Sequence, residues 1–447
     1  MKILIVGAGV VGFHLAQELS SGKHDITVVD SNSEVIANVA SKLDVMAVQG
    51  DGTDPLTLKK AGINSTEMIV AVSSSDESNL VICLLASKLS VPKKIARIRK
   101  EQWFKPGLLS KSELAIDRVI NPTSLIISHI RKIIEIPGVV DVAEFSDHNL
   151  SLLGFRVLAG SPIMGKKLAE LRENFSFGDF IIITIYRNHR MIIPTGDDFI
   201  QEGDTCYILT NQDMVSFVLP IFNQTVKPVN SIIVYGGNPT GILIAKSLED
   251  MLIPKLVLIE PDKNKAEAAS EVLTKTRVIY GDFMEPEIQA EINITEVDFF
   301  ISSGTDPRSN LLISLLAKKR GAEKVIVITD ETEYLPVLDS IGLNIVINPR
   351  LMIASEILKY IRGGRIHSVI KLKTGGVELI EQATTPQSKA VKKPIAKLNF
   401  PQGALIGAII EDGNPIFPHG ETVLKPGQEI ILISRSDVVE KAEKFFL

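Results

Sequence analysis

Cysteines and aromatic residues are scarce in this 447-residue chain, and long apolar runs are missing. Its two cysteines, Cys83 and Cys206, lie far apart in apolar stretches, so neither a disulfide framework nor a metal site is predicted. Both are expected to be buried and inert, as suits a reducing compartment. No segment approaches the ~18 consecutive apolar residues that span a bilayer, and the N-terminus lacks a signal-peptide cleavage pattern. The sequence therefore predicts a soluble protein that reaches a membrane only through a partner.

Recognisable catalytic motifs are missing as well. The sequence contains no HExxH, no GxSxG and no zinc-ligand spacing, and its seven histidines are scattered. A dehydrogenase would need a proton donor close to the nicotinamide, and no obvious acid–base residue is present for that role. This pattern favours ligand binding without chemistry and without a metal, so we expect that the protein is not an enzyme. An NAD-dependent oxidoreductase is the rival interpretation.

The charge balance and the length limit the remaining classes of protein. A net charge of −5 and a pI near 5.9 argue against nucleic acid as the main partner, because phosphate binding needs a basic face. A chain of 447 residues exceeds one ordinary domain, since domains average roughly 150 residues. We therefore expect three or four domains.

The second half of the chain repeats the first. The segment ILIVGAGVVG from Ile3 matches IIVYGGNPTG from Ile232, and SNLVICLLASKL from Ser78 matches SNLLISLLAKKR from Ser309. The repeat extends beyond the first part of each half, because IPTGDDF from Ile193 parallels FPHGETV from Phe417. Repeats of this kind predict duplicated structural units.

Each half alternates short β-branched runs with helical stretches and then changes to strands joined by turns. The first pattern is typical of βαβ units on a parallel sheet. The predicted fold class is therefore α/β, with two Rossmann-like doubly wound parallel-sheet domains, each followed by a small α+β domain. The predicted domain limits are 1–122, 140–225, 229–349 and 366–447.

A helical run follows Asn121-Pro122, and it recurs at Pro349. Proline is favourable at the first position of a helix, where its missing N–H would be unpaired anyway. Its isoleucines recur near one face of the helix, which fits an ordinary packed helix. The same helix also links the two parts of each half, so a connector or dimer-forming role stays open.

A GxGxxG motif follows the first apolar strand: Gly7, Ala8, Gly9, Val10, Val11 and Gly12. In this context the first glycine permits a tight turn, the second lets a pyrophosphate approach the backbone, and the third lets helix and strand pack closely. The following helix presents N–H groups and a positive dipole end to phosphates. Asp30 ends the next strand and is predicted to hold ribose hydroxyls, which favours NAD or an adenosine nucleotide over NADP.

Further polar residues follow neighbouring strands. Asp51 is expected near the adenosine, and Ser73 and Ser74 are expected to bond the ligand, cap the next helix, or both. Arg97 and Arg99 alternate in the strand KIARIR, so we expect both on one face. They are predicted to bind phosphate bidentately; pairing with carboxylates of the chain is the alternative.

The second copy of the glycine motif is degraded. Gly236 and Gly237 survive, but Asn238 replaces the middle glycine, and Glu260 takes the place of the acid. The asparagine side chain is expected to crowd a pyrophosphate.

In the strand EKVIVIT, Val327 and Thr329 are expected to replace Arg97 and Arg99, with Arg308 as a partial substitute. This second site is therefore expected to bind a phosphate-rich ligand more weakly, to bind a different ligand, or to bind none.

These segments together resemble a known family. MKILIVGAGVVG, ITVVD, VQGDGTDP, AVSSSDESNL, ARIR and the INP helix, followed by the small module and all in duplicate, resemble the tandem regulator-of-potassium-conductance (RCK) proteins. The resemblance covers essentially the whole chain, and the duplication within one polypeptide is its most specific feature.

The resemblance implies a homo-oligomeric ring, dimeric or tetrameric, on the cytoplasmic face of the membrane beneath a Trk-type potassium channel or transporter subunit. NAD(H) and ATP or ADP would bind its crevices and bias the ring between shapes. Attachment of the same sensor to another ion transporter stays open. By position, Gly7 to Val11 would form the phosphate loop, Asp30 would hold ribose, Ser73 and Ser74 would line the pocket, and Arg97 would contact phosphate.

Overall fold

The fold comes from a computed structural model, and it consists of two compact units. One unit contains Met1–Ile126 and Asn348–Leu358, and the other contains Ile127–Ile347 and Lys359–Leu447. The structure describes residues 1–20, 24–100, 103, 113–136, 138–145, 149–174, 180–188, 190–224, 227–331, 338, 341–343, 345–362, 366–372, 376–411 and 413–446. The four predicted domain limits stay predictions, and two of their ends, 225 and 447, lie outside these residues.

The first half begins with a parallel six-stranded sheet of order β3-β2-β1-β4-β5-β6. Its strands are β1 Lys2–Val6, β2 Asp25–Asp30, β3 Met46–Gln49, β4 Met68–Ala71, β5 Lys93–Arg97 and β6 Arg118–Ile120. Its helices are α1 Val10–Ser20, α2 Ser33–Lys42, α3 Pro55–Lys60 and α4 Asp76–Lys88. Strand β4 is buried at every residue, as expected where helices cover both faces of a parallel sheet.

The second half repeats this sheet with the order β14-β13-β12-β15-β16-β17. Its strands are β12 Ser231–Tyr235, β13 Lys255–Glu260, β14 Arg277–Tyr280, β15 Phe299–Ser302, β16 Lys324–Ile328 and β17 Ile345–Ile347. Its helices are α8 Pro239–Leu248, α9 Lys263–Val272, α10 Pro286–Ile292 and α11 Pro307–Lys319. In both sheets the strand order reverses between the first and fourth strands, where ligands bind in folds of this type.

Each parallel sheet is followed by a five-stranded antiparallel sheet, of order β10-β9-β11-β8-β7 or β18-β19-β22-β20-β21. The first contains β7 Val139–Phe145, β8 Leu150–Arg156, β9 Phe180–Arg187, β10 Arg190–Ile192 and β11 Thr205–Asn211, with helices α6 Leu168–Asn174 and α7 Val215–Val218. The second contains β18 Ile366–Lys371, β19 Val377–Ala383, β20 Ala404–Glu411, β21 Asn414–Ile416 and β22 Glu429–Arg435, with helix α13 Val439–Glu443. One apolar cluster joins the two sheets and includes Leu152, Leu209, Leu379 and Ile433.

The two INP helices, α5 Pro122–Glu135 and α12 Pro349–Arg362, pack with opposite halves of the chain. Residues Asn348–Leu358 belong to the unit of the first sheet, where Arg118 bonds Glu356 at 2.6 Å, whereas α5 from Ile127 onward belongs to the other unit. Four of the five isoleucines of α5 are buried: Ile126, Ile130, Ile133 and Ile134. These contacts fit the ordinary packed helix, and the connector or dimer-forming role stays a prediction.

The two cysteines and the helices can be described where composition made a prediction. Cys83 and Cys206 are fully buried and unpaired, and burial raises the pKa of Cys83 to about 12, so the thiolate that would react is disfavoured. None of the helices in the described ranges combines the length and the apolar character needed to cross a lipid bilayer. The predicted fold class, two Rossmann-like domains each followed by a small α+β domain, is confirmed.

Candidate functional site

The first glycine loop turns tightly between β1 and α1. Gly7 has a φ of +101°, and a Cβ at this position would lie 2.7 Å from the Ser73 backbone nitrogen. A Cβ on Gly12 would lie only 1.8 Å from the Gly7 carbonyl oxygen, whereas a Cβ on Gly9 would meet no atom of the described chain within 4 Å. The first and third glycines are therefore required by the protein's own packing, and the middle one faces open space.

Helix α1 begins at Val10, directly after this open position. Gly9 precedes the helix and has no side chain that could cap it. The first N–H groups of α1, and the positive end of its dipole, are therefore not covered by a capping side chain. Ala8 and Val11 are buried, at 3% and 5% exposure, whereas Val10 is 49% exposed. The Ala8 N–H already bonds Asp30, so the backbone at the start of α1, rather than that of Ala8, faces a ligand.

The predicted acid, Asp30, lies at the end of β2 against the loop. Its Oδ2 accepts from the Ala8 N–H at 2.7 Å and its Oδ1 accepts from the Asn32 N–H at 2.9 Å. The side chain is half-buried. Asp51 is brought to the same edge of the sheet, where Gly50 N–H bonds the Asp30 carbonyl at 2.9 Å. The Asp51 carboxylate is exposed and accepts both the N–H and the hydroxyl of Thr53 at 2.8 Å.

The sequence left open whether the serines after β4 cap the next helix or bond the ligand. Ser75, not Ser73 or Ser74, caps helix α4 by accepting the Ser78 N–H at 3.1 Å. The hydroxyl of Ser73 instead bonds Asn79 Oδ1 at 2.8 Å. Ser73 and Ser74 therefore lie beside the loop without the capping role that was one of their predicted alternatives.

Arg97 and Arg99 are brought together at this edge, although only Arg97 belongs to β5. Arg97 donates to the Ser73 carbonyl at 2.8 Å, and Arg99 donates to the next carbonyl, that of Ser74. Arg99 also lies 3.6 Å from the buried carboxylate of Asp76, so the alternative of pairing within the chain holds for Arg99.

The electrostatic setting of Arg97 is different. Its Nε is buried and has no hydrogen-bond partner in the described part of the chain. Burial lowers the pKa of Arg97, the neighbouring Arg99 lowers it further, and Asp76 opposes both. A guanidinium held in this way would gain from an anion, because desolvated charges are costly without a counter-charge.

Asn79 is a residue of this site that the sequence interpretation missed. It is fully buried, its amide nitrogen donates to the carbonyls of Ser73 at 3.2 Å and Arg97 at 2.8 Å, and its oxygen accepts the Ser73 N–H. It thus fixes the serine loop to the end of β5. The signal was present, since an asparagine recurs at the same place in the second copy, as Asn310.

The second glycine loop keeps the turn but not the open position. Gly236 has a φ of +108°, and Glu260 accepts the Gly237 N–H as Asp30 accepts that of Ala8. Asn238 is the N-cap of α8 and accepts the Gly241 N–H at 3.0 Å.

The predicted correspondence between β5 and β16 is wrong by one residue. Asn79 bonds the carbonyl of Arg97, and Asn310 bonds that of Ile328 at 3.1 Å. Arg97 also pairs with Ile120 as Ile328 pairs with Ile347. Ile328 therefore replaces Arg97, and two residues further on Asp330 replaces Arg99. Both bonds span 18 residues, so counting from the repeated asparagine gives the same correspondence.

Comparison with known proteins places the whole chain in one family. The TrkA-N domain model matches residues 3–122 and 232–349, and the TrkA-C domain model matches 152–223 and 379–447. The Trk system potassium uptake protein TrkA of Azorhizobium caulinodans is 32% identical, over 100% of this chain and 98% of its own. The homologue of Archaeoglobus fulgidus is 30% identical over the full length of both chains.

Solved structures agree on the fold. The GsuK RCK domain has a TM-score of 0.61 at 19% identity and covers 100% of this chain and 94% of its own. The GsuK channel bound to NAD has a TM-score of 0.62 at 19% identity and covers 100% and 78%. The full-length matches and the duplicated domain pair show that the chain belongs to the TrkA family of Trk system potassium uptake proteins.

Proposed function

We propose that this chain is the regulatory, nucleotide-binding subunit of a Trk-type potassium uptake system, and that NAD(H), ATP or ADP binds at its first glycine loop. The observation that carries the proposal is the open space in front of Gly9, at the N-terminus of α1. A helix N-terminus of this kind attracts phosphate through its dipole and its N–H groups. Two of the relatives support the proposal by name, and the GsuK channel has been solved bound to NAD.

The surrounding residues take roles in this proposal that follow from their positions. The loop from Gly7 to Val11 lines the phosphate position, and the N–H groups at the start of α1 are the donors, because those of Gly7 and Ala8 already bond Val29 and Asp30. Gly12 holds α1 against the loop. Asp30 keeps free lone pairs beside its two backbone bonds, so it can accept ribose hydroxyls, and its charge disfavours the 2′-phosphate of NADP. Arg97, whose Nε is unbonded among the described residues, is the first phosphate contact, and Arg99 beside it would exchange its bond to Asp76 for a phosphate. Ser73, Ser74 and Asp51 line the same edge.

Regulation follows from linkage rather than from catalysis. A ligand shifts a protein between two shapes only by its differential affinity for them, and typical couplings are about 1–3 kcal/mol. A longer phosphate chain that reaches Arg97 or Arg99 would supply such a difference. In this proposal the chain forms a dimeric or tetrameric ring at the cytoplasmic face of the membrane, contacts a potassium-conducting membrane subunit, and binds nucleotide without turning it over.

The substitution Asp30→Ala is expected to weaken binding of ADP and NADH by at least about tenfold, because hydrogen bonds to a charged group contribute about 1.5–3 kcal/mol. Calorimetric titration of the full-length chain measures this. Asp30→Asn keeps an oxygen for the Ala8 N–H but removes the charge, so it separates ribose binding from support of the loop. Glu34→Gln, on the exposed first turn of α2, is the matched control.

Unchanged affinity in Asp30→Ala would contradict the site assignment. Steady oxidation of NADH by the purified chain, with any member of a carbonyl-substrate panel, would instead favour an oxidoreductase. The regulatory role is tested by potassium flux through the co-purified membrane subunit with ATP, ADP, NAD or NADH. Flux that is identical with and without every nucleotide would refute it.

A further inference from the structure

The two glycine loops of the chain differ in what lies in front of the middle position. In the first loop, a Cβ at Gly9 would meet no described atom within 4 Å. In the second loop, the corresponding residue is Asn238, and its half-buried side chain fills that space. Its oxygen accepts the Gly241 N–H at 3.0 Å, and its amide nitrogen donates to the Ser303 carbonyl.

With these two bonds the Asn238 side chain lies where a phosphate would bind. The Gly241 N–H belongs to the first turn of α8, and such N–H groups are the donors that a helix offers to an anion. Asn238 satisfies this donor from within the chain. Its second bond, to Ser303, anchors the side chain across the loop, so that a phosphate would have to break both bonds before it could bind.

The two arginines beside the first loop have no counterpart at the same positions of the second. Ile328 stands where the first domain has Arg97, and Asp330 stands where it has Arg99, so a cation is replaced by an apolar residue and another by an acid. Glu260 is 5% exposed, with one oxygen bonded to the Gly237 N–H and the other to that of Asp262. This acid is therefore less accessible to a ribose than the half-buried Asp30.

From this geometry we infer that the second loop is closed by its own Asn238, which caps α8 in place of a phosphate, and that each chain binds one nucleotide, at the first loop. The inference rests on the proposed function for its ligand. It makes the two halves unequal: the first half senses nucleotide, and the second is a fixed structural counterpart.

Calorimetric titration with ADP, and separately with NADH, tests the stoichiometry in the full-length chain. We expect one nucleotide per chain. The substitution Gly9→Asn places the second loop's side chain in the first loop, and it is not strained, since Gly9 lies outside the left-handed region and its Cβ faces open space. It is expected to weaken binding by at least about tenfold, while Asn238→Ala leaves the stoichiometry at one.

Each result has a distinct meaning. Two nucleotides per wild-type chain would overturn the inference and leave the proposed function standing. One nucleotide per chain with unchanged affinity in Gly9→Asn would show that the ligand does not use the space in front of Gly9. It would overturn both the inference and the proposed site. No binding by the wild-type chain would refute the proposed function, and this inference with it.

Thermal unfolding without nucleotide tests the capping role independently. Loss of the cap in Asn238→Ala is expected to lower the melting temperature by about 2–4 °C. Asn238→Ser keeps a capping oxygen and is expected to lose less than half of that. An unchanged melting temperature in Asn238→Ala would mean that Asn238 does not hold the helix, and the closed-loop inference would fail.

Discussion

Replacement of Gly12 by alanine is expected to lower the free energy of unfolding of the first domain by about 3 kcal/mol, the upper part of the range for overpacking. The added Cβ would lie 1.8 Å from the Gly7 carbonyl oxygen and 2.9 Å from its carbonyl carbon. The atoms that would have to move belong to the backbone, so no rotamer change relieves the overlap. The loop and the start of α1 would separate, and nucleotide binding would be lost with them.

The single tryptophan, Trp103, makes this measurement specific, because it packs against the core of the first sheet. Urea unfolding followed by its fluorescence reports the stability of that domain. The matched control is Gly9→Ala, whose Cβ meets no described atom within 4 Å. It should change stability by no more than about 0.5 kcal/mol, yet weaken nucleotide binding. Equal stabilities of the two variants would refute the packing argument.

The second large effect on stability is expected at a buried carboxylate, Glu249. Its side chain is 3% exposed, and it accepts the backbone N–H groups of Thr274, Lys275 and Thr276 at 2.7, 2.7 and 3.0 Å. Lys246 donates to its other oxygen at 2.8 Å. It therefore ties the end of α8 to the segment that leads into β14. Glu249→Ala leaves three N–H groups without this acceptor, whereas Lys246, at 43% exposure, returns to water. The second domain should therefore lose about 3 kcal/mol of stability.

The pH dependence supplies a further signature of Glu249. Burial raises the pKa of this carboxyl, but bonds from Lys246 and the three N–H groups outweigh it and lower the pKa to about 2. A lowered folded-state pKa stabilises the protein above the unfolded value of 4.5, and this contribution is lost as the pH falls towards 2. Stability of the wild-type chain should fall in that window more steeply than that of Glu249→Ala.

Hydrogen exchange of the amides of residues 274–276 measures the local effect, and circular dichroism measures the global one. The control is Glu267→Ala on α9, where a glutamate that is 66% exposed lies 3.9 Å from Lys263. Exposed pairs of this kind contribute about 0–1 kcal/mol, so little change is expected. A loss in Glu249→Ala no larger than in this control would show that the buried network is unimportant for folding.

Local chemistry made much of the fold predictable. Glycines spaced as in Gly7, Gly9 and Gly12 after an apolar run specify a turn that few other sequences can form, and Asp30 follows at the end of the next strand. The matching segments of the two halves also show the duplication directly. Two Rossmann-like sheets, each followed by a smaller module, could therefore be predicted from residues alone. The nucleotide roles of these residues remain predictions until binding is measured.

Other features depend on contacts between distant segments. The bond of Asn79 to Arg97 connects residues 18 apart in the chain, and the bond of Glu249 to Thr274, before β14, spans 25. The asparagine that recurs in both halves indicated the first of these contacts, but no local pattern predicted the contacts of Glu249. Arg97 and Ile328 each follow their asparagine by 18 residues, so the repeated SNL segment already indicates this correspondence, and the hydrogen bonds agree with it.

The sequence by itself determined the duplicated architecture, the turn at each glycine loop and the replacement of a glycine by Asn238, because these depend on residue type and spacing. Only the tertiary structure decided that α5 and α12 pack with opposite halves and that the two antiparallel sheets share one apolar cluster. It also decided that the Asn238 side chain turns onto its own helix. Burial and hydrogen bonding are satisfied between segments far apart in the chain, and an apolar or polar pattern does not specify its partner.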